Sequence, residues 1–393
     1  TLLKNLPESG MMYKDTSGVP VVALCRDEGR FEMKFMKEIK KILSKQPASN
    51  ISFSDFESGV RNKICLVTGG GGSIGSQLCR FIAKCAPKKL IITDIYENGA
   101  YDLQQELKMK YGSRLPIVIE IASVRDRLKT DVIFARHRPQ LVFHTAAHKH
   151  VPLMENAPEE AVKNNGTFDT AESAAKHGAE KFLLVSTDKA VNPTSVMGAT
   201  KLCCEMIMKL FSEKYQSTAF ITLRCANVIG SSGSVIPLFE KQLKNGGPIT
   251  VTHPEITRYF ISVTEAAAFA LRAAAEAKTG QVCIPCTDSP VKISQIAHEM
   301  ARKYNIRAHK TNQHPVEIEY TGLRPGEKLH EELFNKAENP ILSDDKKVFY
   351  AELCEAADGF DEKLVALFKA AEQNDGKQVI QIMKKICPSF STK

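Results

Sequence analysis

The run Thr68-Gly69-Gly70-Gly71-Gly72-Ser73-Ile74-Gly75 limits the possible folds of this chain more than any other stretch. It follows Ile64–Thr68, an apolar segment of strand length, and precedes a helical stretch, so it reads as a tight turn from a buried strand into a helix. Gly69, Gly72 and Gly75 have the spacing G-x-x-G-x-x-G. Missing side chains there let the backbone approach a pyrophosphate, and the free N–H groups of the helix N-terminus face it; Ser73 and Ile74 belong to the same cofactor-binding turn. A glycine-rich turn is a weak signal by itself. Asp94, at the end of the next strand candidate, strengthens it: a carboxylate there accepts hydrogen bonds from ribose hydroxyls and repels a 2′-phosphate, which favours NAD over NADP.

From Lys63 onward, strand candidates at Ile64–Thr68, Leu90–Asp94, Ile117–Ile121, Leu141–Thr145, Phe182–Ser186 and Phe220–Arg224 alternate with helical stretches. The alternation predicts an α/β fold, a Rossmann-type doubly wound parallel sheet with helices on both faces. After Arg224 the elements shorten to a helix near Val235–Leu243, a strand near Ile249–Thr252, helices near Glu265–Ala277 and Ile293–Tyr304, and amphipathic helices from Asp361. At 393 residues the chain is too long for one ordinary core. The expected organisation is an N-terminal extension over 1–60, an NAD-binding Rossmann domain over 61–230, and a smaller substrate-binding lobe with C-terminal helices over 231–393. Within the extension, Gly18-Val19-Pro20 reads as a turn into a strand at Val21–Leu24. Glu32–Lys45 reads as a basic amphipathic helix, for which packing on its own core is commoner than lying on a membrane.

The net charge of +8 is spread along the chain rather than gathered in one tract. That argues against nucleic acid as a partner and suits small anionic substrates. Eleven cysteines, an odd number without framework spacing, read as reduced thiols of a cytoplasmic protein. No apolar run approaches the roughly 18 residues of a membrane span, and no signal peptide is seen. The chain opens on Thr1, as expected if an N-terminal segment has been removed; an inner-membrane anchor would have to lie there. Cys283-Ile284-Pro285-Cys286 has the spacing of half a zinc site, but no second pair follows, and buried thiols in a strand are expected. His144 falls in a strand and His148 and His150 in a loop, so no metal is expected. Cys203 and Cys204, adjacent on a helix, point in different directions.

Ser186-Thr187-Asp188-Lys189 follows Lys181–Val185, a run of the type buried on both faces, so the quartet sits at the carboxyl edge of the sheet, where ligands bind. Asp188 and Lys189 put a proton donor beside a proton acceptor, as an elimination needs; for the dipeptide alone, a solvated ion pair is the commoner meaning. Lys201 stands four residues after Met197, on one helical face. Val142 to Ala147 ends in small residues, and Ala146 lets a flat cofactor lie against the strand end.

Further stretches follow in a recognisable order: Ala146-Ala147-His148-Lys149 through Glu155, Ser186 through Thr194, Asn227-Val228-Ile229-Gly230, Thr257-Arg258-Tyr259-Phe260, and Leu323-Arg324-Pro325-Gly326-Glu327-Lys328. From about residue 61 to the C-terminus the sequence resembles the extended short-chain dehydrogenase/reductase family. Within it, the chain is most similar to bacterial nucleotide-sugar 4,6-dehydratases of polysaccharide synthesis that act on UDP-N-acetylglucosamine. The resemblance implies NAD as a recycled reagent: hydride leaves sugar C4, water is lost across C5 and C6, and the hydride returns to C6.

It also implies residue roles. Lys189, neutral when it acts, takes the C5 proton, and Asp188, protonated when it acts, gives one to the departing C6 hydroxyl. Thr187 hydrogen-bonds the C4 oxygen, and Lys201 binds the nicotinamide ribose. Arg258 and Arg324 hold the diphosphate, with Lys149, Asn227 and Glu327 completing the UDP-sugar site. The superfamily's Tyr-x-x-x-Lys is here Met197-Gly198-Ala199-Thr200-Lys201, and a thioether is neither acid nor base. Met in this position matches a larger, often membrane-anchored branch of these dehydratases and leans toward retention at C5. A homodimer through the Met197–Tyr215 helix is expected. Two other functions compete: a nucleotide-sugar epimerase, which needs the missing Tyr, and a catalytically silent NAD-binding scaffold or sensor, which has no need of Asp188, Lys189 and two arginines.

Overall fold

Among the described residues, nine strands form the central sheet: β1 (Ile64–Thr68), β2 (Lys89–Asp94), β3 (Ile117–Ile121), β4 (Leu141–His144), β5 (Lys181–Thr187), β6 (Ala219–Cys225), β7 (Gln281–Pro285), β8 (Ile341–Leu342) and β9 (Val348–Glu352). Their order is β8-β9-β7-β6-β5-β4-β1-β2-β3. All neighbours from β3 to β7 pair in parallel, while β9 runs antiparallel to β7 and β8 antiparallel to β9. The strand order reverses between β1 and β4, and a crevice opens there beyond the carboxyl ends. The computed structural model describes residues 54–310, 315–356 and 358–391. The turn, strand and helix expected at Gly18–Pro20, Val21–Leu24 and Glu32–Lys45 lie outside the described residues.

The parallel strands are apolar throughout because both faces are covered. Leu66, Val142, Phe182, Leu184 and Phe220 enter one core, and their neighbours Val67, Phe143, Leu183, Val185 and Ile221 enter the other. Helices Ser73–Lys84 and Val263–Glu276 pack together over the second core. On the first face lie helices Pro158–Asn165, Thr167–Lys176 and Val196–Lys214, and over them the C-terminal pair Phe360–Glu372 and Gly376–Ile386.

Two expectations are revised by this packing. The sheet continues past residue 230: β7, β8 and β9 complete it, and the C-terminal helices cover its face rather than joining a separate lobe. The helix expected to make a dimer interface is covered by its own chain. Of the 19 residues of Val196–Lys214, the buried ones run unbroken from Val196 to Met208 and include Phe211 and Ser212. Its apolar surface is covered by Gly376–Ile386, Thr167–Lys176 and Pro158–Asn165.

Among the described residues, three two-stranded ribbons border the crevice. Asn227–Ile229 pairs with Phe260–Ser262, Thr257–Arg258 with Val291–Lys292, and Ile249–Val251 with Ile318–Tyr320. They carry Asn227 and Arg258 to the site.

Candidate functional site

The glycine turn is built around backbone contacts that a side chain would block. Gly69 has φ +65°, and a Cβ on it would meet the Ala146 backbone at 2.8 Å; a Cβ on Gly75 would stand 2.2 Å from the Gly69 carbonyl oxygen. Asp94, at the end of β2, accepts hydrogen bonds from the backbone N–H of Gly71 (2.8 Å) and of Tyr96 (2.9 Å). These bonds fix the carboxylate at the rim of a cavity of about 370 Å³, lined also by Gly69, Gly72 and Ala146. The cradle suits an adenosine and pyrophosphate, because Gly72, the N-cap of the helix Ser73–Lys84, lines it.

Gly69 and Gly72 are shared with a larger cavity of about 620 Å³, which Ser73, Ile74 and Gly75 also line. Thr187, Lys189, Met197 and Lys201 form its floor, and Lys149, Asn227, Arg258, Arg324 and Glu327 its outer part. Every site residue expected from the sequence therefore borders one of these two cavities, with one exception. Asp188 is fully buried, 0% exposed, and lines neither. Thr187 and Lys189 stand between it and the crevice: Thr187 Oγ1 donates to Asp188 Oδ1 at 3.0 Å, and Lys189 Nζ donates to the same oxygen at 2.9 Å. Asp188 Oδ2 is buried without a hydrogen-bond partner.

Lys189 Nζ also donates to Asn227 Oδ1 at 3.0 Å and lies 3.5 Å from Glu331 Oε1. Burial works against its charge, but the carboxylates of Asp188 and Glu331 prevail and hold the ammonium above the ordinary lysine range. The neutral form that the sequence reading gives Lys189 when it acts therefore requires its proton to move first. Lys201 has the opposite environment. It is buried, donates to the Val185 carbonyl oxygen at 3.3 Å, and burial lowers its pKa.

Local features hold these groups in place. Ser195 caps the helix Val196–Lys214 by accepting from Gly198 N–H at 3.1 Å, and Glu155 accepts from Val196 N–H at 2.7 Å. Gly198 lies so close to the turn after β5 that a Cβ would be 2.2 Å from the Lys189 carbonyl oxygen. Below, Ser186 donates to Glu205 at 2.5 Å, and the buried Arg224 bridges Glu205 (2.5 Å) and Glu338 (2.8 Å). In the outer part, Arg258 donates to the Thr257 carbonyl oxygen at 2.8 Å and lies 3.5 Å from Glu327, whose other oxygen accepts from Arg324 N–H at 3.1 Å. Lys149 reaches Ser231 at 3.4 Å, and burial lowers its pKa.

His144 lies in β4, as expected, and both ring nitrogens are engaged. Nε2 donates to the Asn165 carbonyl oxygen at 2.6 Å, which leaves Nδ1 to accept from Thr68 Oγ1 at 2.8 Å. Burial above all, with Lys201 nearby, pushes its pKa down to about 3, so the ring is neutral. Among the described residues, no group of three or more His, Cys, Asp or Glu is placed to hold a metal ion. Cys283 is buried in β7 and Cys286 half-buried just beyond it, and burial raises both thiols.

Sequence reasoning missed Glu331, Glu155, Glu205 and Glu338. Glu331 approaches Lys189 only through the fold, and the segment carrying it has no helical or strand period that would mark one face.

Comparison with known proteins agrees with this architecture. Residues 65–353 match the model of a family described as polysaccharide biosynthesis protein. The capsular polysaccharide biosynthesis protein CapD of Staphylococcus aureus is 44% identical over 314 residues, covering 79% of this chain and 51% of that protein. The chain therefore spans about half the length of that relative. At 32% identity over 297 residues it matches both a UDP-N-acetylglucosamine 4,6-dehydratase (inverting) of Campylobacter jejuni and a UDP-glucose 4-epimerase of Rickettsia rickettsii. The first match covers 73% of this chain and 80% of the dehydratase; the second covers 74% and 82%. The X-ray structure of Pen from Bacillus thuringiensis superposes with a TM-score of 0.68 at 29% identity, covering 74% of this chain and 88% of that one. By sequence and by fold, this chain belongs to the polysaccharide biosynthesis protein family.

Proposed function

We propose that this chain carries the active site of an NAD-dependent nucleotide-sugar 4,6-dehydratase, with UDP-N-acetylglucosamine as its substrate. The observation that carries this reading is the Asp188–Lys189 contact of 2.9 Å, with Lys189 lining the cavity that the glycine turn also lines. Gly69, Gly72, Ser73, Ile74, Gly75, Asp94, Ala146 and Lys201 would hold NAD, whose nicotinamide takes hydride from sugar C4 and returns it to C6.

The chain's own groups handle the protons. One proton moving from Lys189 Nζ to Asp188 Oδ1 turns the resting ion pair into a neutral amine and a carboxylic acid, with no change in total charge. Lys189 then takes the C5 proton, acidic because C4 is a ketone at that stage. Asp188 has no face on the cavity, so its proton reaches the leaving C6 hydroxyl through Thr187, 3.0 Å away. Loss of water leaves Lys189 charged and Asp188 ionised; as hydride returns to C6, Lys189 gives a proton to C5, and one proton from solvent, matching the one the C4 hydroxyl released to solvent on oxidation, restores the ammonium. Arg258 and Arg324 bind the diphosphate, and Asn227, Glu327 and Lys149 orient the remaining polar groups.

Met197 lines the cavity four residues before Lys201, so the proton of the C4 hydroxyl does not pass to a phenol. This is the branch feature that favours retention at C5. An epimerase is the second reading, because relatives of that name match equally well. Epimerisation at C4 has no use for an acid–base pair at C5 and C6. Incubating the NAD-loaded protein with UDP-N-acetylglucosamine decides: a 4-keto-6-deoxy product supports the dehydratase, and a C4 epimer without ketone overturns it.

A further inference from the structure

We infer that Glu331 is a positioning residue for the proposed elimination, fixing the Lys189 ammonium and setting the pH range over which Lys189 and Asp188 share one proton. This rests on the dehydratase reading. Glu331 is 6% exposed, with Oε1 3.5 Å from Lys189 Nζ and 3.8 Å from Arg258 Nε. Its Oε2 is buried with no hydrogen-bond partner, 4.0 Å from Lys328 Nζ. A buried carboxylate left half-unsatisfied is costly, so packing alone does not account for it. What Glu331 does have is a second negative charge beside the base.

Lys189 and Glu331 border a cavity of about 230 Å³ next to the main one. The other charged groups bordering it are Arg258 from its ribbon, Arg324, Glu327 and Lys328 from the loop before Glu331, and Lys149 and His150 from the loop after β4, while Asp188 contacts Lys189 from behind. Asp188 is the partner that takes the proton, so its charge changes during the step. Glu331 takes no part in that transfer. It opposes loss of the shared proton to water and so extends the active range on the alkaline side, while Arg258 acts in the opposite sense.

The test uses the full chain with NAD and UDP-N-acetylglucosamine, measuring the pH profile of kcat for the parent, Glu331→Gln and Glu331→Asp. In Glu331→Gln the alkaline limb should move down by roughly 1 to 3 pH units, whereas Glu331→Asp keeps the limb and loses only amplitude. An unmoved limb in Glu331→Gln, even with lower kcat or melting temperature, overturns the inference and leaves Glu331 a packing residue. A readout without turnover separates this from the functional reading. The side-chain nitrogen of Lys189, assigned in NMR spectra through Lys189→Arg, should titrate lower in Glu331→Gln whether or not a sugar is dehydrated. An unchanged midpoint overturns the inference.

Discussion

Gly198→Ala tests how closely the acid–base turn and the helix behind it must approach. The added methyl carbon would lie 2.2 Å from the Lys189 carbonyl oxygen, against a lower limit of 3.0 Å for real Cβ contacts, so turn and helix must part by about 0.8 Å. Backbone lies on both sides of the contact, and no flexible side chain can absorb it. The turn carries Asp188 and Lys189, and the helix carries Met197 and Lys201. A misplacement of about 1 Å at reacting groups costs on the order of 100-fold in rate. Overpacking of this kind costs about 1–3 kcal/mol of stability. The expected result is a kcat for 4,6-dehydration about 100-fold lower, with a smaller fall in NAD affinity by calorimetry, since of the residues that would hold NAD only Lys201 lies on this helix. Gly75→Ala provides the contrast: its Cβ meets the Gly69 carbonyl oxygen at 2.2 Å, so NAD affinity should fall first. A Gly198→Ala protein with parental kcat would refute the geometric reasoning. So would a loss of activity fully explained by the fraction unfolded.

Two further outcomes follow from the same geometry. Arg324→Ala should raise KM for the UDP-sugar about 10- to 100-fold with kcat little changed, because a charge-assisted contact to phosphate is worth roughly 1.5–3 kcal/mol; initial-rate kinetics check this. His144, with a folded pKa of about 3 against an ordinary 6.5, makes stability depend on acid. The unfolded chain takes up a proton that the native ring refuses, so this part of the stability is intact above pH 6.5 and is lost as pH falls toward 3. By about pH 4 the loss is roughly 3 kcal/mol, and His144→Asn should flatten the slope of urea midpoints over that range.

The parallel strands were legible because strands buried on both faces must be apolar along their whole length. β1 to β6 were expected within a residue of where they lie. The ribbon strands of two or three residues were mostly not, since so short a segment shows no period. β7 could be read as a strand at Cys283, but not as a member of the main sheet, because its neighbour β6 is distant in sequence. The amphipathic C-terminal helices were visible, but not which helices they pack against. Within the site, the glycine turn, Asp94, Lys189 and Lys201 were legible because each lies in or beside an element end that the sheet order places at the crevice. Nothing in the sequence pairs Arg224 with Glu205 and Glu338 or places Glu331 beside Lys189, and the burial of Asp188 behind Thr187 was equally hidden.

The account depends most on Lys189 as the base at C5. The direct measurement is one turnover of UDP-N-acetylglucosamine by NAD-loaded Lys189→Ala in heavy water, following reduced nicotinamide by absorbance and C5 by NMR. The account predicts that C4 is oxidised and reduced nicotinamide persists, with no 4-keto-6-deoxy sugar and no deuterium at C5. Deuterated product formed at the parental rate would contradict it.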